Sequence, residues 1–177
     1  MGTNRGFTLI ELMVTLSIVV IITIMAAPSF GNMMTRQKLD TSARDFMAVL
    51  NQGRSQATVL RSTVAVCPSK LATDANFTKD KCAQAAIPEY TATSGLPPVA
   101  SLTPAQKAEI LNNRVFLVDL DPKINVESTS ASFILFNATG GIAAEKNFKI
   151  CSSGNKYSIT ITRLGNLTQA KSTGVCI

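Results

Sequence analysis

Histidine and tryptophan are absent from this 177-residue chain, and only two tyrosines occur. Without histidine the commonest general base and the commonest metal ligand are both missing. No G-x-S-x-G nucleophile motif is present, so catalysis would have to rest on Ser-Lys or carboxylate pairs. These absences argue against an enzyme and against a bound cofactor. Metal binding is argued against in the same way. Cys67, Cys82, Cys151 and Cys176 contain no C-x-x-C pair. Asp119-Leu120-Asp121 is followed by Lys123 and lacks the bidentate acid that closes a calcium loop, so it reads as solvated acids at a strand end. Acidic residues are scarce toward the C-terminus, where Glu145 is the only one after Glu127.

Charge and hydrophobicity are unevenly placed. The net charge of +6 divides into +3 over residues 1–65, −1 over 66–127 and +4 over 128–177. Of the 21 residues from Phe7 to Ala27, 12 are Leu, Ile, Val or Phe, and Glu11 is the only charged one. A helix of that length rises about 30 Å, enough to cross a hydrocarbon core. Its apolar residues, at about −0.3 to −0.6 kcal/mol each, outweigh one acid near the helix end. The β-branched run Ile18–Ile24 would weaken a helix in water, but lipid leaves a single segment no other way to satisfy its backbone. Arg5 is the only charge ahead of the run, so the N-terminus is expected in the cytoplasm and the body outside. An even set of cysteines beyond the run fits an oxidising compartment. Four cysteines allow three pairings, and Cys67 with Cys82 and Cys151 with Cys176 are favoured because each closes a local segment.

The alternative, a signal peptide cut near Ala26 or Ala27, conflicts with helical periodicity that continues past Pro28. Phe30, Met33, Met34, Gln37, Ala43, Phe46, Met47, Leu50, Ala57 and Leu60 recur at three- and four-residue steps. The pattern predicts one helix from about Thr8 to Arg61, roughly 80 Å long and bent at Pro28. Beyond it the period becomes alternating. Thr63–Cys67, Arg114–Val118, Ser132–Phe136, Phe148–Cys151 and Tyr157–Ile161 all suit strands of an antiparallel sheet laid on the helix. An exposed loop is expected over 83–103, where Pro, Ala, Ser and Thr dominate. Thr103-Pro104-Ala105-Gln106 then starts a short helix to about Asn112.

Gly6-Phe7-Thr8-Leu9-Ile10-Glu11, with its apolar run and Pro28, resembles the prepilin signal of type IV pilins and type II secretion pseudopilins. Ile134–Gly140, Phe148–Cys151 and the Ile-Thr-Ile-Thr strand leading to Leu164-Gly165 resemble the minor pilin and H-type pseudopilin group that includes FimT and FimU. The resemblance implies an α+β pilin-like fold: a leader of residues 1–6, a membrane and filament-core helix over 7–28, its amphipathic half over 29–62 and a β-rich domain over 63–177. It further implies that a prepilin peptidase cuts after Gly6, that the Phe7 amine is methylated and that Glu11 neutralises the N-terminus of a neighbouring subunit. Pro28 would mark a segment that can unwind in the filament. The expected partners are other pilin or pseudopilin subunits, the peptidase and inner-membrane lipid before assembly. The implied role is a minor pilin supporting assembly, twitching motility or DNA uptake, with an H-type pseudopilin as the alternative. DNA-binding FimT-like pilins carry Gly-Arg-x-Arg near the C-terminus, where this chain reads Gly165-Asn166-Leu167-Thr168. Only a weak DNA contact, through Arg163 and Lys171, is therefore expected.

Overall fold

The computed structural model describes residues 7–91 and 102–176, the side chains of 25–29 excepted. The leader, with Gly6, and the 92–101 part of the expected loop lie outside the described residues. The chain divides into two compact units, Met1–Thr35 and Arg36–Ile177. Helix α1 (Leu9–Leu60) is assigned without interruption through both, Pro28 included.

The first unit holds the apolar part of α1. Three of its described hydroxyls are satisfied inside the helix. Thr15 Oγ1 donates to Leu12 O at 2.9 Å, Ser17 Oγ to Met13 O at 2.8 Å and Thr23 Oγ1 to Val20 O at 2.8 Å. Such back-bonding lets a hydroxyl stand in apolar surroundings without an outside partner. Thr8 Oγ1 accepts the Glu11 N–H at 3.3 Å, which caps the first turn.

In the second unit Leu39, Ala43, Phe46, Leu50 and Ala57 of α1 are fully buried. Their four- and three-residue spacing makes the stripe that packs on the sheets. Gly53 completes the stripe, since a Cβ there would meet Val66 Cγ2 at 2.4 Å. Phe30, Met33, Met34 and Leu60, counted in the expected stripe, are instead exposed.

Two sheets follow. The first runs β2-β1-β4, from β1 (Val64–Pro68), β2 (Val115–Val118) and β4 (Ile134–Phe136). The second runs β3-β5-β6-β7, from β3 (Asn125–Val126), β5 (Lys146–Ser152), β6 (Asn155–Ile161) and β7 (Leu167–Thr173), and is antiparallel throughout. The α+β reading, a long helix on an antiparallel sheet, holds for this architecture. The strand pattern does not reveal that β1 and β2 run parallel, with Ala65 beside Val115. A parallel pair needs a long crossover. Residues 69–114 supply it, carrying α2 (Lys79–Ala86), α3 (Pro88–Thr91) and α4 (Pro104–Asn113).

The crossover gives β1 two covered faces. Val64 and Val66 join the α1 cluster with Phe136, Phe148 and Ile159. Ala65 and Cys67 join a second cluster with Phe77, Cys82, Ala83, Ile87, Tyr90 and Ile110. Within its described part, residues 83–91, this corrects the expectation of an exposed loop over 83–103, because Ala83, Ala86, Ile87 and Tyr90 are buried by the crossover helices. The Thr103 start signal appears as a full capping box with Gln106, and Pro104 stands in the first turn.

Candidate functional site

The apolar end of α1 is the first candidate. From Phe7 to Ile24 the large apolar side chains are at least half exposed, from 51 % at Val14 to 76 % at Leu9. Glu11, also exposed, is the one charged residue among them. Thr8-x-x-Glu11 is a capping-box pattern, of which the structure shows one half, the Glu11 main-chain N–H donating to Thr8 Oγ1. Among the described residues no helix is long and apolar enough to cross a membrane. The expected span over 7–28 runs into residues 25–29, whose side chains lie outside the description.

The cysteines form two bonds. Cys67 of β1 is joined to Cys82 of α2, which pins the crossover to the sheet. Cys151 of β5 is joined to Cys176, just past β7, which ties the chain end to the sheet. No free cysteine is present among the described residues.

The basic C-terminal sheet is the second candidate, and its cations are largely engaged. Lys171 Nζ lies 3.3 Å from Asp40 Oδ1 on α1 and 5.3 Å from the centre of the Tyr157 ring. The Tyr157 hydroxyl donates to the same Asp40 oxygen at 2.8 Å. That bond, with Lys171 beside it, holds the Asp40 carboxyl below its ordinary range, while Tyr157 and Asp40 raise Lys171. Lys156 pairs with Glu127 at 2.5 Å, and Lys146 sits over the Phe133 ring. Arg163 is exposed in the β6–β7 turn.

Arg163 and Lys171 are not brought together. Lys171 stands opposite Tyr157, four pairs along the ladder from the Ile161–Leu167 end beyond which Arg163 lies. That is about 13 Å of strand at least. The turn itself is fastened inward by Arg54, a residue that no motif or spacing singles out. Its guanidinium donates to Gly165 O at 2.8 Å and Leu164 O at 3.1 Å.

Asp119 and Asp121 are likewise engaged, Asp121 with Lys38 at 2.7 Å and Asp119 with the Ser69 hydroxyl at 3.3 Å. Lys38 and the Lys123 N–H depress the Asp121 carboxyl below its ordinary range. No group of three or more metal-ligating side chains is placed to hold an ion among the described residues.

A helix whose first half is an exposed apolar surface, and whose second half is the core element of a two-sheet body, defines a pilin-like filament subunit. The chain belongs to the GspH family of type II transport proteins, whose sequence model matches residues 42–165. The prokaryotic N-terminal methylation motif matches residues 1–27. The crystal structure of the type IV minor pilin FimU of Pseudomonas aeruginosa (strain PAO1) is similar at 14 % identity, covering 78 % of this chain and 92 % of that one with a TM-score of 0.43. No curated protein matches the chain. The pilin and pseudopilin resemblance read from the N-terminal motif and the C-terminal third is thus established as family membership, in a class of structural subunits.

Proposed function

We propose that this chain is a minor pilin, cut after Gly6 by a prepilin peptidase, methylated at Phe7, held in the inner membrane by residues 7–28 and then built into a type IV pilus. The observation that carries this reading is the exposed apolar surface from Phe7 to Ile24 with Glu11 as its only charge. Fully burying one such side chain is worth about 1.5–3 kcal/mol, so the segment strongly favours lipid or neighbouring helices over water. A carboxylate at that depth is costly unless it is paired. The ammonium of a neighbour's Phe7, freed by cleavage, is a partner of matching charge. The filament then serves assembly, twitching motility or DNA uptake. A second reading, an H-type pseudopilin of a type II secretion system, is favoured by the description of the family that the chain matches.

Mass spectrometry of the membrane-purified protein tests the processing, and Phe7 is expected as the first residue. A mature chain beginning near Pro28 would remove the anchor and the proposal with it. Glu11 is tested by two substitutions, because capping and charge pairing make different demands. Glu11→Ala and Glu11→Gln should both insert into the membrane yet be depleted from sheared filaments. If Glu11→Gln enters filaments at the parent's level, the acid serves only the helix cap. Recovery in sheared surface pili, as against dependence on secretion components, separates the two filament types.

A further inference from the structure

Strand β7 lies at the edge of the four-stranded sheet, and alternate residues of its main chain face away from β6. The Thr162 N–H donates to Asn166 O at 3.0 Å and the Gly174 N–H to Gly154 O at 3.0 Å, at either end of the ladder. In an antiparallel ladder such bonded pairs recur at every second residue. Thr168, Ala170 and Ser172 therefore turn their N–H and C=O groups to β6, while Leu167, Gln169, Lys171 and Thr173 turn theirs outward. No hydrogen bond among the described residues meets those outward groups.

Natural sheets guard such an edge by keeping it short, by a proline, bulge or charge, or by covering it. The other edge strands are short, with two residues in β3, three in β4 and four in β2. β7 has seven, no proline among them and an unbroken register. Its one charge, Lys171, is drawn to Asp40 on the α1 face. Leu164, in the turn before the strand, is 76 % exposed, and Val175, just after it, is 80 % exposed. After α1 these two are the only large apolar side chains left exposed among the described residues. The packing of the core accounts for neither.

We propose that β7 is an interaction edge that pairs antiparallel with β7 of a second copy of this chain, joining the two four-stranded sheets into one. A strand paired with itself offers the same patch on both copies, as a closed twofold contact requires. Centred on Ala170, the pairing exchanges main-chain bonds between Gln169 of one copy and Lys171 of the other, and between Leu167 and Thr173. Every outward group of the strand is then used. On the face away from α1 it sets Thr168 against Ser172 and Ala170 against Ala170, where the close approach of a non-bonded pair suits small side chains. No like charges stand opposite, as they would in a ladder centred on Lys171. At each end Val175 of one copy comes toward the turn that carries Leu164 of the other, so the exposed apolar side chains cover one another. The twofold axis leaves both α1 helices on one face of the joined sheet, running in opposite directions. On the filament reading, neighbours within one filament share a helix direction, so the contact joins two filaments side by side. The pairing itself does not rest on that reading.

Residue-resolved amide exchange by NMR, on the full chain in detergent micelles at rising protein concentration, tests the pairing. The Gln169 and Lys171 amides should slow as concentration rises, whereas Thr168, Ala170 and Ser172, bonded to β6, should be protected throughout. A dimer held only by α1 leaves Gln169 and Lys171 fast at every concentration, and that result would overturn the proposal. Gln169→Pro removes an outward N–H that the single chain does not use, and proline is tolerated on an edge strand in that position. It should keep the melting temperature and weaken the pairing by about tenfold or more, since each copy loses a main-chain bond to the other. Ala170→Lys is made beside it, in case the proline disturbs the strand. It sets two ammonium groups opposite each other at the twofold axis and should weaken the pairing several-fold with the fold intact. Protection of Gln169 and Lys171 that survives unchanged in Ala170→Lys would equally sink the β7 contact.

Discussion

Arg54, Gly140 and Gly165 show how single residues hold the C-terminal turn in place. Gly165 has φ +77°, a left-handed backbone that only glycine adopts cheaply. A Cβ there would meet Gly140 O at 2.2 Å and Arg54 Nε at 2.9 Å, so the position is closed to side chains for space as well as for backbone. The two carbonyls that Arg54 reaches, on Leu164 and Gly165, would otherwise have only water to accept from. Gly165→Ala should therefore destabilise the protein by about 1–3 kcal/mol from backbone strain alone, and more if Arg54 is displaced. Thermal unfolding checks this, with Gly154→Ala as comparison. Gly154 has a similar φ of +75° but open space around it. Equal losses at the two sites would mean that the Arg54 clamp and the close approach to Gly140 contribute nothing.

At the scale of elements, β7 depends on few ties. Six of its seven residues are exposed, and its ladder reaches only β6. The Cys151–Cys176 bond closes a segment of 25 residues, for which chain entropy gives about 3 kcal/mol of stabilisation. Cys176→Ser paired with Cys151→Ser should lower stability by that amount. Amide exchange should show protection lost first over Leu167–Thr173, while Val64–Cys67 stays protected. Unchanged exchange over β7 would mean that the ladder to β6 and the Lys171–Asp40 contact suffice. The same exposure explains why β7 was not legible in the sequence. With neither face buried, Leu-Thr-Gln-Ala-Lys-Ser-Thr has no alternation to read. The long helix, the Thr103 capping box and β1, β2, β4, β5 and β6 were legible because each buries a periodic face or carries a local cap. Helix α2 and the parallel β1–β2 pair were not, since they are specified by Ala83, Ile87 and Tyr90 packing on Ala65 and Val115 across long sequence separations. At the sites, the two cysteine pairs were legible from residue type and spacing. Arg54 and Glu127 were hidden, because an arginine and a glutamate look alike on a solvated face and at a buried contact.

For the molecule as a whole, a net charge of +6 with its excess at the C-terminal end invites contact with nucleic acid, and the arrangement of partners sets how strong that contact can be. Phosphate neutralisation needs cations free to leave their own partners, and each one used steepens the salt dependence. Of the five cations after Glu145, Lys156 is held by buried Glu127 and Lys171 by Asp40, while Lys146 sits against the Phe133 ring. Lys149 Nζ donates to Thr129 Oγ1 at 3.2 Å. Arg163 is exposed, but Asn166 and Thr168 beyond it give the turn no second guanidinium. Duplex DNA should therefore bind as to a generic basic domain, with Kd of about 10⁻⁴ to 10⁻⁶ M at physiological salt. With two or three phosphates contacted, log K should fall against log salt with a slope of about −2 to −3. Fluorescence anisotropy at several salt concentrations measures both. Arg163→Ala should reduce the slope by about one, whereas Lys171→Ala, already neutralised by Asp40, should change it less. Submicromolar affinity at physiological salt, lost in either variant, would show that the sheet face presents a dedicated DNA site and would promote DNA uptake over a purely structural place in the filament.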